Sequence, residues 1–105
     1  QISEEYSERL RHSHEFASYL AHAKAEYRII SSLLDLAFKF GRGAANVEQR
    51  RIYITRRELS ELTGTTPETA IRVTKNLERG GFLDLSRPGI IKILSVPGLQ
   101  EELIQ

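Results

Sequence analysis

The sequence predicts a mainly α protein with a small β-hairpin, an α+β domain preceded by one long helix. Three observations carry that prediction. Residues Ser3 to Phe40 contain neither proline nor glycine and are rich in Glu, Ala, Leu, Arg and Lys, a composition that favours helix throughout. After Thr55, two short segments each open on a threonine cap and each close on glycine, as short helices do. Then "FLDL" and "IIKIL" flank "SRPG", two short strands around a proline–glycine turn.

The long helix divides by its apolar pattern. Tyr6, Leu10, Ser13, Ala17, Leu20, Lys24 and Tyr27 alternate at spacings of four and three. Such a seam is narrow and suits packing on one partner helix rather than a whole core. An isolated helix of this length is marginal in water, so a second copy of the chain is the expected partner. Tyr6, Leu10, Ser13, Ala17 and Leu20 are the expected dimer seam. From about Ala25 the pattern changes: Ile29, Ile30, Leu33, Leu34, Leu36, Ala37, Phe38 and Phe40 crowd almost every face and belong to a globular core. The reading is therefore a dimerisation helix over 1–24 and a globular domain over 25–105, with a bend or helix boundary near His22 to Glu26.

The remaining elements follow in order. Gly41 ends the long helix, and "GRGAANVEQ" reads as a polar loop. "RRIYIT" is a short strand with alternating sides. Thr55 with Glu58 three residues later forms a capping box that opens a helix at about Arg56, with Leu59 and Leu62 buried and Gly64 as its stop. Thr66 and Pro67 form the cap and first turn of the next helix. That helix buries Ala70, Val73, Thr74 and Leu77 and ends at Gly80 and Gly81. "PGLQEELIQ" adds a terminal helical turn or two.

Composition limits the function classes. Among 105 residues, 40% are hydrophobic and 28% charged, ordinary for a globular chain, and the formal net charge is +1. Any basic surface must come from local segregation of charge. The absence of cysteine excludes disulfides, thiolate metal sites and thiol catalysis. No apolar run approaches the roughly 18 residues of a membrane span, and a cytoplasmic location is the default. The chain begins at Gln1 and has no methionine, which reads as a trimmed chain with a further domain upstream.

Two short helices across a glycine turn, followed by a hairpin, make a winged helix-turn-helix. In that arrangement the second helix enters the DNA major groove with its N-terminal residues at the base edges. Glu68 and Arg72 stand at i and i+4, on one face and away from Ala70 and Val73. Arginine donates two bonds to guanine, and a carboxylate accepts from the cytosine amino group. Thr65, Thr66 and Thr69 bring hydroxyls to the helix start, where phosphate is favoured. Lys75 and Arg79 continue the polar face toward the DNA backbone, with Lys75 a phosphate candidate. Arg56 and Arg57 beside this helix, Thr55, and Arg87 at the wing tip are phosphate candidates; Arg50 and Arg51 are weaker ones.

"ITRRELSELTGTTPETAIRVTKNLERGGFL" closely resembles the helix-turn-helix signature of the Crp/Fnr family of bacterial transcription regulators. Glu68, Thr69 and Arg72 stand in its E-T-x-x-R core, and Leu77, Glu78, Gly81 and Leu83 in the L-E-x-x-G-x-L that follows. "RIISSLLDLAFKFG" is similar to the family's helix leading into the DNA-binding domain, and the upstream helix to its dimerisation helix. The resemblance implies a homodimer on a two-fold symmetric operator with a TGA-like element. It also implies an upstream β-roll effector domain of cyclic-nucleotide-binding type; its effector stays unidentified, and these 105 residues carry no cofactor. It further implies a loop, about Arg42 to Gln49, of the kind that meets RNA polymerase. The chain departs from the pattern at Pro67, where several members carry a contacting side chain. It departs again at Ile71, whose apolar side chain suits a thymine methyl in the base-reading set.

Plainer readings stand beside these. Glu68 and Arg72 also suit an exposed intrahelical salt bridge, and the polar face also suits a winged-helix module that meets an acidic protein. His12, His14 and His22 read as solvated or seam residues, since His14 and His22 lie roughly 12 Å apart along a helix, too far to share an ion. Gly41-Arg-Gly43 is half of a phosphate-loop pattern but follows a helix, so it reads as loop closure. No nucleophile–base pair or ligand cluster supports an enzyme.

Overall fold

The computed structural model describes residues 2–43 and 49–104, and within them the side chains of residues 17, 20–41 and 49–103. The elements are α1 (Ile2–Phe40), β1 (Arg42–Gly43), β2 (Arg50–Ile52), α2 (Arg56–Thr63), α3 (Pro67–Arg79), β3 (Leu83–Asp84), β4 (Ile91–Ile93) and α4 (Val96–Ile104). Tyr6, Leu10 and Ser13 of the expected seam, with His12 and His14, lie outside the described side chains. Residues 44–48 of the expected polymerase loop lie outside the described residues.

The 39-residue α1 runs without interruption through His22 to Glu26, so the expected helix boundary there is corrected. "AHAKAEY" holds three alanines and no glycine or proline, and nothing in it opposes helix continuity. What changes is burial. Residues 20–24 are exposed, and Ile29, Ile30, Leu33, Leu34 and Ala37 form a buried face from Ile29 onward. Phe38 and Phe40, read as core, are 65% and 67% exposed. Each residue advances about 100° around the helix, which turns Phe38 away from the Leu33–Ala37 face, and Phe40 is the last helical residue. Leu36 is half-buried against the core.

Four short antiparallel strands pair in the order β1-β2-β4-β3. Arg42–Gly43, read as part of a polar loop, is in fact an edge strand paired to Arg50–Arg51. "RRIYIT" gives only three strand residues. The Ile54 N–H donates to the Ile52 carbonyl at 3.1 Å, a tight turn that takes the chain out of the ladder before the Thr55 cap. Alternation then sends Ile52, Ile91, Ile93 and Leu83 inward, while Arg51, Lys92 and Asp84 fall on the opposite face. The wing turn Arg87-Pro88-Gly89-Ile90 closes with a 3.2 Å bond from Ile90 N–H to Arg87 carbonyl. Gly89 has φ +75°, as the third residue of a type II turn requires.

Ile29, Leu33, Leu59, Val73, Leu83, Ile91, Ile93 and Leu99 are the largest fully buried apolar side chains, each under 3% exposed. Leu99 brings α4 against α1. No helix among the described residues is long and apolar enough to cross a membrane.

Candidate nucleic-acid interface

The two helices of the motif are fixed at their ends by side chains. Thr55 Oγ1 accepts from the Glu58 N–H at 3.0 Å, and Glu58 Oε1 accepts from the Thr55 N–H at 3.0 Å, the capping box read from the sequence. The Thr55 backbone N–H, then its side-chain hydrogen bond, holds the exposed Glu58 carboxyl below its ordinary range. At the other end Gly64 adopts φ +68°. Its N–H reaches the Glu61 carbonyl at 3.4 Å, and the Thr65 N–H reaches the Ser60 carbonyl at 2.9 Å. This double closure turns the chain sharply toward α3.

Leu62, read as a buried position of α2, is 59% exposed. Ser60 and Thr63 fill the inner face with Leu59 instead. Their hydroxyls are buried without penalty because each finds a carbonyl of its own helix. Ser60 Oγ donates to the Arg57 carbonyl at 2.6 Å and Thr63 Oγ1 to the Leu59 carbonyl at 2.8 Å.

α3 starts as expected. Thr66 Oγ1 accepts from the Thr69 N–H at 3.2 Å and donates to Thr69 Oγ1 at 2.9 Å. Ala70, Val73, Thr74 and Leu77 are buried, and the Thr74 hydroxyl donates to the Ala70 carbonyl at 2.7 Å. That inner face rotates Glu68, Arg72, Lys75 and Arg79 outward as one ridge, and all four are exposed. No ion pair joins Glu68 to Arg72 among the described residues, so the intrahelical bridge does not account for the spacing.

The other predicted residues lie on both flanks of the ridge. On the wing side, Thr55, Arg56, Arg57, Ile71 and Arg87 border one cleft of about 280 Å³, floored by Ile54, Leu85 and Ile91. Ile71 is 43% exposed and lines this cleft. On the other flank, Thr65, Thr66 and Thr69 face α1. Arg57 stands 3.9 Å from Glu61, with both side chains well exposed, a pair worth little in water. Arg50 and Arg51 are set on β2, opposite Ile93 and Lys92, and Arg50 Nη1 donates to the Gln49 carbonyl at 2.8 Å. Of the seam residues with described side chains, Ala17 and Leu20 are both exposed.

Residues 27–102 match the Crp-like helix-turn-helix domain. The chain belongs to that family. The catabolite activator protein of Thermus thermophilus has 26% identity and a TM-score of 0.78, over 98% of this chain and 45% of that one. A second Thermus thermophilus protein, a transcriptional regulator of the CRP/FNR family, has 25% identity and a TM-score of 0.69, over 95% and 50%. The CO-dependent transcription factor CooA from Carboxydothermus hydrogenoformans shares the fold at 18% identity and a TM-score of 0.71, over 90% and 43%. The chain thus spans about half the length of the solved structures it resembles. No match was found among curated proteins.

Within the Crp-like helix-turn-helix, one residue singled out only as part of the family motif acquires a physical task. Glu78 Oε2 accepts from the Leu85 N–H at 2.9 Å, tying the wing to α3, while its other oxygen stands 3.9 Å from Lys75 Nζ. Helical periodicity does not reveal this contact, because the partner lies seven residues on, past the Gly80-Gly81 turn. Asp84 acts likewise at the wing base. Its Oδ1 accepts from the Ser86 N–H at 2.9 Å, and that backbone bond is the main reason its carboxyl is held below the ordinary range.

Proposed function

We propose that this chain is the dimerisation and DNA-binding part of an effector-controlled transcription regulator of Crp/Fnr type. It binds a palindromic operator as a homodimer, with the helix that starts at Pro67 in the major groove of each half-site. Residues 1–24 serve dimerisation and 25–105 read DNA, under control of an effector domain upstream.

The observation that carries this reading is the α3 ridge. Glu68 and Arg72 stand exposed on it with no ion pair between them among the described residues, flanked by Arg56, Arg57 and Arg87 across the wing-side cleft. Near a net-neutral charge total, this clustering concentrates positive potential where a helix can enter the groove. Glu68 and Arg72 supply complementary acceptor and donor chemistry for a C·G step. Dimerisation draws support from Leu20 and Tyr27, a heptad apart on α1 and 41% and 58% exposed, which continue the narrow seam toward the core.

The test is selection of bound sites from random DNA by the protein with its upstream domain, followed by footprinting and a salt titration. A two-fold symmetric site with steep salt dependence is expected. Binding to an acidic protein, with no preferred DNA site, would replace this reading by that of a protein–protein module.

A further inference from the structure

We propose that the outer face of the wing sheet docks a net-acidic segment of a protein partner while α3 is on DNA, with Lys92 and Arg51 as the cations that meet its carboxylates. The proposal rests on the DNA-binding reading above and adds a second partner on a surface which that reading leaves unused.

Strand alternation builds this face. Ile52, Ile91, Ile93 and Leu83 point into the core, so Arg51, Lys92 and Asp84, which alternate with them or pair across from one another, stand on the side away from it. Register sets the three in one row. Asp84 on β3 lies opposite Lys92 on β4, and Lys92 lies opposite Arg51 on β2. The register continues the row to Arg42 on β1. Like charges directly opposite each other destabilise a sheet, so the Arg51–Lys92 pairing does not serve stability. Cations on edge strands block association between sheets, but β2 and β4 are the two inner strands of the order β1-β2-β4-β3. Neither reason internal to the fold accounts for basic residues at these two positions.

The row is also weakly neutralised. Asp84 is its one acid, and Asp84 Oδ1 is engaged by the Ser86 N–H at 2.9 Å. That backbone bond, more than Lys92, holds the carboxyl low. No ion pair joins Lys92 to an acid among the described residues. With Ser86, Arg87 and Ile90, the three residues line a cleft of about 270 Å³. Arg87 also borders the cleft on the α3 side, so Lys92 and Arg51 are the cations particular to this face. Two features select a protein segment as the occupant over a nucleic-acid backbone. The inner face of the hairpin is the one turned toward α3, so a duplex on the reading ridge leaves the outer face open. Asp84 within the row opposes a continuous run of phosphates, whereas a protein segment can set carboxylates against Lys92 and Arg51 and a donor against Asp84.

The experiment is an NMR titration of the isotope-labelled full chain, bound to a selected operator duplex, with a short peptide that carries glutamate at alternate positions. Affinities come from anisotropy of the same peptide with a fluorescent label. Amide shifts should move at Arg51, Asp84, Ser86 and Lys92 and stay fixed from Glu68 to Arg79. Lys92→Glu should weaken the peptide about 5-fold and leave operator affinity within about 2-fold. Asp84→Asn keeps an oxygen to accept from the Ser86 N–H and removes the one acid of the row. It should tighten the peptide by about 2-fold or more, a gain that misfolding does not produce. No shift at any peptide concentration, shifts confined to α3, displacement of the peptide by the duplex, or wild-type affinity in Lys92→Glu overturns the surface while leaving DNA binding intact. Shifts along the row on addition of duplex alone would give this face to the DNA backbone and overturn the protein partner. Failure of the wild-type chain to bind any duplex sinks the DNA reading, and the same peptide on the DNA-free chain then decides the sheet face by the same shifts.

Discussion

Arg72→Ala tests the base-reading assignment with little interference from folding. Arg72 is exposed and has no ion pair or hydrogen bond among the described residues, so truncation removes nothing that holds α3 in place. Its effect on stability should stay within about 0.5 kcal/mol, as for other unengaged surface sites. On DNA, loss of a two-bond contact to guanine should cost about 1–3 kcal/mol per half-site, or roughly 5- to 150-fold in affinity. The loss should fall on one base pair per half-site and vanish when that pair is already mutated. Lys75→Ala provides the contrast. Its ammonium stands 3.9 Å from Glu78 in the free protein; if it contacts phosphate, as proposed, its removal should weaken all sequences about equally and lower the salt slope by about one. Glu68→Ala should cost less affinity than Arg72→Ala but relax the adjoining pair, since a carboxylate near phosphates is itself unfavourable. The assay is fluorescence anisotropy on the selected operator, its single-pair variants and a random duplex, with melting curves alongside. If Arg72→Ala weakened operator and random DNA by the same factor, α3 would be only a basic surface and the major-groove reading would fail.

Glu58→Gln should remove a pH dependence while keeping a cap. The Glu58 carboxyl is held low in the fold, so its contribution is complete above the ordinary glutamate value of about 4.3 and is lost as pH falls through the lower folded value. The melting-temperature gap between wild type and Glu58→Gln should therefore be widest above about pH 5 and close in acid; a gap independent of pH contradicts the assignment. Glu78→Ala leaves the Leu85 N–H unpaired and should cost about 1–3 kcal/mol of stability, read by denaturant melting, with looser hydrogen exchange at Leu85. Cutting the chain to begin at Ala25 removes exposed α1 residues but none of the buried face from Ile29 on. The product should melt cooperatively yet sediment as a monomer, and a micromolar dimer would refute the seam. The same cut should weaken operator binding sharply, because two tethered half-site contacts become independent.

The sequence was most legible where structure is decided within a few residues. Both threonine caps, the Gly64 stop, the Pro88-Gly89 turn and the buried set Ala70, Val73, Thr74 and Leu77 follow from local rules, and each is found. What failed needed knowledge of neighbours. Leu62 is more apolar than Ser60, yet α2 packs on α3 and α1 through the Leu59–Ser60–Thr63 side, since small hydroxyl residues allow close approach and satisfy themselves on helix carbonyls. Phe38 and Phe40 read as core because the segment is apolar on almost every face, and such a pattern does not say which face the rest of the chain covers. The Arg42–Gly43 strand carries no β signal of its own and exists through pairing with β2. In the candidate site, the ridge was legible from the helical period. The Glu78–Leu85 tie and the Arg51–Lys92 row were not, since each joins segments that sequence spacing does not relate.

The contacts present in the free protein also bear on how labour is divided over the surface. A side chain already engaged in the free protein must exchange a partner to meet DNA, so part of its gain is offset. Thr55 and Thr66 are spent on caps, and Lys75 has Glu78 nearby; on the proposed reading their part is to hold the reading head in shape and to give sequence-independent affinity. Arg72 and Glu68 have no such competing partner among the described residues, so on the proposed reading their contacts with bases would be new in the complex. Discrimination depends on differences between complexes rather than on total affinity. On the proposed reading it is therefore concentrated in Glu68 and Arg72, which have no partner among the described residues and stand on the α3 face turned away from the core.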